Sequence, residues 1–302
     1  MRPTPRTLLA AQRDALGKHL DGIRHADPES VHDARVASRK MRELLPLYVD
    51  QRDERYGDVR DLGRRLGMVR DCDVEIELLD EFALRVPRAA SLLAERRHST
   101  MQARENHLRQ VIKKLPDGTD EFTSAFPIPA AHALNDHLWS AGWRERLRSR
   151  LADRRRRALD ALRYATSVYF PNRLHGARVA IKKLRYSAEV AHETGPMTDP
   201  QNALRHLRRT QDLLGDIHDR QLLRDFVTTR EDSRDADAAA MLLPCVEYEI
   251  AWRHRRFLSR RDDLIEACGA LRVEGPPVRR IAASAAGIGV ATALLAIAQG
   301  RH

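Results

Sequence analysis

Ten cationic or histidine positions recur along the chain in one pattern. His32, Arg35, Arg39, Lys40 and Arg42 stand in "VHDARVASRKMRELL", and His175, Arg178, Lys182, Lys183 and Arg185 in "LHGARVAIKKLRYSAEV", each matched pair 143 residues apart. Together these side chains suit one kind of chemistry, the holding of anionic oxygens. A guanidinium fork grips two phosphate oxygens at once, an ammonium is a compact rotatable donor, and an imidazole donates to an anion and gains charge beside it. A second correspondence follows each copy: "LGMVRD", Leu66 to Asp71, matches "LGDIHD", Leu214 to Asp219, at a separation of 148. The chain therefore reads as a tandem duplication.

A helix is the element that would gather these residues. At 100° per residue, with His32 as zero, Arg35 falls at about 300°, Arg39 at about 340° and Arg42 at about 280°, an arc of roughly 80°. His175, Arg178, Lys182 and Arg185 fall on the same arc of the second copy. Ala34, Ala37, Met41 and Leu45, and in the second copy Ala177, Ala180, Leu184 and Ala188, line the opposite face as a packing stripe. Like charges at these spacings repel by a few tenths of a kcal/mol per pair, about what an anion would relieve. A single charged face is ordinarily just solvated, and a lone histidine ordinarily packs or caps. Repetition of the whole pattern favours the anion.

Two other readings use the same residues. His32-Asp33 and His218-Asp219 could belong to a metal-dependent phosphohydrolase, or Asp71 with Asp73 could hold Mg²⁺. The second copy reads His175-Gly176, so the His-Asp doublet is not part of the repeat, and Asp71 and Asp219 are more simply partners that orient arginines. The other reading is a non-specific nucleic-acid binder. The ladders hold almost no aromatics, on which such proteins stack bases, and no helix-turn-helix or RNP-like motif is present.

The whole chain fits helical ladders. Its 302 residues are 32% charged and 5% aromatic, which predicts an all-α protein. Net charge +10 points to a polyanionic partner: nucleic acid, an acidic membrane face or another phosphate-rich polymer. Forty-seven of the 53 basic residues are arginine, which is chiefly the mark of a GC-rich genome but suits phosphate. Cys72, Cys245 and Cys268 are scattered and suggest neither a disulfide framework nor a zinc site, and the N-terminus lacks an apolar signal core, so a cytoplasmic chain is expected.

Helical patterning breaks at "PDGTDEFTSAFPIPAAHALNDH". The expected organisation is a first helical bundle over 1–115, a Pro-rich linker over 116–140, a second bundle over 141–270 and an apolar tail over 271–302. Ile281 to Ala298 is an uncharged run with small residues at Ala283, Gly287 and Ala291. It reaches the lower limit of a membrane span, but its alanine content favours docking on the bundle or on another protein.

On "VHDARVASRKMRELL" with "LGMVRDCDV", and "LHGARVAIKKLRYSAEV" with "LRRTQDLLGDIHD", the chain resembles the CHAD family, over roughly Arg6 to Cys268. The resemblance implies a tandem, pseudo-symmetric pair of four-helix bundles around a basic central groove or pore that binds inorganic polyphosphate. The ten ladder residues carry over as its binding positions. A second tier is Arg60 and Arg208, before the Leu-Gly pairs, and Arg70 and His218, after them. Many relatives are fused to a CYTH triphosphate-tunnel domain, and no E-x-E-x-K-rich segment precedes the repeats here. The expectation is thus a binding protein of polyphosphate granules with no catalytic residue, no metal and no cofactor.

Overall fold

A computed structural model describes residues 3–49, 54–126, 128, 136–165, 168–195, 197, 200–230 and 235–272, with backbone alone for 136–141. Every element among them is helical: α1 (Pro5–Lys18), α2 (Leu20–Arg24), α3 (Pro28–Leu44), α4 (Glu54–Arg85), α5 (Ala90–Ile112), α6 (Thr119–Ala125), α7 (Asp136–Tyr164), α8 (Pro171–Thr194), α9 (Gln201–Thr228) and α10 (Ala236–Ala270), with 3-10 turns at Leu45–Leu47 and Pro87–Ala89.

The packing order repeats along the chain. α1 packs on α3, α3 on α4 and α4 on α5; later α7 packs on α8, α8 on α9 and α9 on α10, which also returns to α7. The two sets meet where α3 lies against α8 and α4 against α9. At the second of these contacts the buried Arg220 of α9 bonds Glu81 of α4 at 3.3 Å and Glu249 of α10 at 3.2 Å, and Arg85 of α4 bonds the same two carboxylates. A buried guanidinium held by two carboxylates fixes the relative position of three helices, since losing either would leave charge stranded.

Local sequence explains the helices that carry the ladders. Pro28 starts α3 at a position where its missing N–H is no loss, and Asp27 caps it by accepting from the Ser30 N–H at 2.9 Å. Pro171 starts α8, and Gly195, at φ 104°, ends it in a conformation that L side chains avoid. The stripe opposite the cations packs as expected: Ala34, Ala37, Met41, Leu45, Ala177, Leu184 and Ala188 are buried, while Ala180 is only partly so. α4 lets α3 come close by omitting a side chain. A Cβ on Gly63 would stand 2.9 Å from the hydroxyl of the buried Ser38.

Two details differ from the sequence reading. The 116–140 stretch contains α6 and the start of α7, and α6 docks on α1 because Phe122 is fully buried there, its ring 4.8 Å from Phe126. The helical spacing of Leu92, Leu93, Met101, Leu108, Val111 and Ile112 marks an apolar stripe on α5, yet Met101 faces outward. No helix among the described residues is long and apolar enough to cross a membrane. The Ile281–Ala298 run lies outside the described residues.

Candidate anion-binding cleft

Where α3, α4, α7 and α8 converge, they enclose a cleft of about 890 Å³. α3 contributes Arg35, Arg39, Arg42 and Glu43; α4 contributes Tyr56, Arg60, Asp61, Gly63, Arg64, Gly67 and Asp71. From α7 come Arg150, Asp153, Arg154 and Arg157, and from α8 Val179, Lys182, Lys183 and Tyr186. Ten of these residues are Lys or Arg and four are Asp or Glu. Such a concentration of like charge raises the local potential and favours an anionic occupant.

The inner wall is cross-linked between helices. Arg39 donates to the Tyr186 hydroxyl at 3.0 Å, joining α3 to α8. Tyr186 is itself buried, with Arg185 lying 4.4 Å from its ring centre. Arg35 donates to Asp71 at 3.0 Å, but its Nε is buried without a partner among the described residues, as is Nε of Arg42. Arg154 bonds Glu43, the Lys183 carbonyl and the Ser187 hydroxyl, so Glu43 organises α7 against α3 and α8.

Electrostatic strain concentrates on α3 and α8. Burial, with Arg39 beside it, pulls the Arg35 pKa down to about 10 despite Asp71. Burial, with Arg39, Arg178 and Arg35 adding to it, brings Lys182 down to about 7. Burial, with Arg150 adding to it, also lowers Arg154 on α7, against the pull of Glu43. Burial and mutual repulsion thus disfavour the charged forms of these cations, and an anion in the cleft would relieve both.

Six of the candidates from the sequence line this cleft: Arg35, Arg39, Arg42, Arg60, Lys182 and Lys183. The rest stand elsewhere. Lys40 bonds Glu193 at 3.0 Å, tying α3 to α8. Arg185 and Arg208 share the buried Glu189, at 3.2 and 3.0 Å, and Arg70 bonds Glu77 at 3.1 Å. His32 is exposed. His175 and His218 are neighbours, with ring centres 5.4 Å apart. Burial and the nearby Arg178 lower the His218 pKa, while burial raises that of Asp219, beside Arg178, to about 6.

Sequence reasoning missed Arg64, Arg150, Arg154 and Arg157. The last three sit at i, i+4 and i+7 on α7, a spacing visible in "RSRLADRRRR". Asp71 and Asp73 do not converge on one site: Asp71 holds Arg35, and the buried Asp73 holds Arg104. Among the described residues no group of three or more His, Cys, Asp or Glu is placed to hold a metal ion.

An all-helical chain whose two repeated ladder helices meet at a cationic cleft defines a narrow class. The chain belongs to the CHAD domain family, whose model matches residues 7–228. Its fold is similar to that in the crystal structure of the CHAD domain from the plant Ricinus communis, at 20% identity and a TM-score of 0.53, covering 89% of this chain and 92% of that one. A search of curated proteins found no match.

Proposed function

We propose that this chain binds linear inorganic polyphosphate in the cleft between α3, α4, α7 and α8, and by that contact gathers on polyphosphate granules in the cytoplasm without catalysing a reaction. The observation that carries this reading is the set of ten Lys and Arg side chains, drawn from both halves, around one 890 Å³ space. A polymer with a charge on every unit and no bases needs a cationic channel and little else. Membership of the CHAD family, of which polyphosphate binding is a general property, supports the same reading.

The aromatic content of the cleft favours polyphosphate over nucleic acid. Of its two aromatics, Tyr186 is buried and engaged by Arg39 and Arg185, which leaves Tyr56 alone and no run of rings on which successive bases could stack. Titration of the full chain with long-chain polyphosphate, with RNA and pyrophosphate as comparisons, tests the reading. Affinity for the long chain is expected to be highest and to fall steeply with added salt, as counterion release requires. Equal or tighter RNA binding, or a flat salt response, would contradict it.

A further inference from the structure

We propose that Lys182 is the proton-coupled contact of the cleft, neutral in the free protein at mildly alkaline pH and protonated as the phosphate chain enters. The inference rests on the polyphosphate reading and adds a regulation to it.

Lys182 stands on the cleft wall and makes no hydrogen bond or ion pair among the described residues. The charges acting on it come from three helices: Arg35 and Arg39 of α3, Arg178 of its own α8, and Asp71 of α4. Asp71 is the one opposite charge of the four, and it is already bonded to Arg35. Around this cluster, α7 adds Arg150, Arg154 and Arg157 with Asp153, α3 adds Glu43 and α4 adds Asp61 to the same cleft, so cations still outnumber carboxylates there, and α9 places His218 and Asp219 beside Arg178. Its wall position, lack of a partner and like-charged neighbours set Lys182 apart from Lys40, whose charge Glu193 neutralises.

The repeat sharpens the point. Arg39 and Lys182 occupy the same position of the duplicated pattern, and both line the cleft. Guanidinium stays charged at any ordinary pH, whereas a buried ammonium readily releases its proton. One wall thus carries a fixed charge and the other a removable one. With a pKa near 7 in the free protein, Lys182 is largely neutral at pH 8. An entering phosphate supplies the missing counter-charge, raises that pKa, and draws in one proton. Affinity should therefore fall as pH rises above 7, by up to about tenfold per pH unit, and level off below it.

The test is the affinity of the full chain for long-chain polyphosphate between pH 7.5 and 9, at constant ionic strength. In this window the internal phosphates of the chain do not titrate, and burial holds the His218 pKa below the ordinary histidine value. Wild type should weaken across the window, and Lys182→Arg should bind with nearly constant affinity and more tightly than wild type at pH 9. Calorimetry of wild type in two buffers of different ionisation enthalpy should register uptake of a proton at pH 8, a readout that does not depend on the variant folding. Constant wild-type affinity without proton uptake overturns the proposal and leaves the polyphosphate reading standing. An unchanged slope in Lys182→Arg assigns the proton to another group and also overturns it. Absence of binding at every pH removes the underlying reading and the proposal with it.

Discussion

Arg35 of α3 donates to Asp71 of α4 across 3.0 Å, and both side chains line the cleft. Asp71 thus occupies a guanidinium that a phosphate would need. Its carboxylate is 69% exposed, so the pair contributes little stability, about 1 kcal/mol or less. Asp71→Asn should tighten polyphosphate binding by up to about fivefold, with little change in melting temperature. Weaker binding by the folded variant would mean that Asp71 instead aims Arg35 at the ligand.

Arg42 and Arg185 are matched by the repeat but differ in surroundings. Arg42 lines the cleft, whereas Arg185 bonds Gln211 at 2.9 Å and shares the buried Glu189 with Arg208. Arg42→Ala should cost binding and leave the melting temperature nearly unchanged. Arg185→Ala should cost about 1–3 kcal/mol of stability, by stripping a buried carboxylate of one partner, with binding by the folded protein close to wild type. Thermal melts and titrations on both variants check this; equal binding losses would contradict the asymmetry.

Glycines in the two copies should respond oppositely to a methyl group. A Cβ on Gly63 would meet the Ser38 hydroxyl at 2.9 Å, while one on Gly215 meets nothing within 4 Å. Gly215→Ala should stabilise by up to about 1 kcal/mol through helix propensity alone. Gly63→Ala should destabilise, and pairing it with Ser38→Ala should recover part of the loss. A double-mutant cycle measured by urea unfolding supplies the coupling.

Lys182 also makes stability depend on pH. The unfolded chain keeps the proton up to the ordinary lysine pKa of 10.5, while the fold releases it at about 7. Between those values the unfolded state binds more protons, so this group makes stability rise with pH, and its full cost is felt below 7. Lys182→Met should be more stable than wild type at pH 6, with the advantage shrinking toward pH 9. Urea unfolding at both values measures it; an advantage that grows with pH would contradict the assignment.

What the sequence disclosed and what it hid follow from the range of the interactions. Helical periodicity and Pro–Gly punctuation are local, so the helical class and the faces of α3 and α8 could be read directly, down to the buried Ala34, Met41 and Leu184. Arg35, Arg39, Arg42, Lys182 and Lys183 were found because the repeat singled them out. Arg150, Arg154 and Arg157 were not, because their role depends on which face of α7 meets α3 and α8, and α7 carries no part of the repeated pattern. The loss of Lys40 to Glu193 was equally hidden, since 153 residues separate the partners. Arg185 and Glu189 were a visible i,i+4 pair, but the arrival of Arg208 on the same oxygen needed the packing of α9 on α8.

The central claim is that the cleft, and not the general positive charge of the chain, binds the polymer. It is tested most directly by measuring long-chain polyphosphate affinity at ~0.1 M salt for two triple variants that lose equal charge. One replaces Arg35, Arg39 and Arg42 in the cleft with Ala; the other replaces Arg88, Arg109 and Arg255, which are exposed and outside it. With helicity and melting temperature confirming that both are folded, the cleft variant should lose about a hundredfold or more and the surface variant less than about threefold. Equal losses in the two would show that charge alone governs binding and would contradict the account.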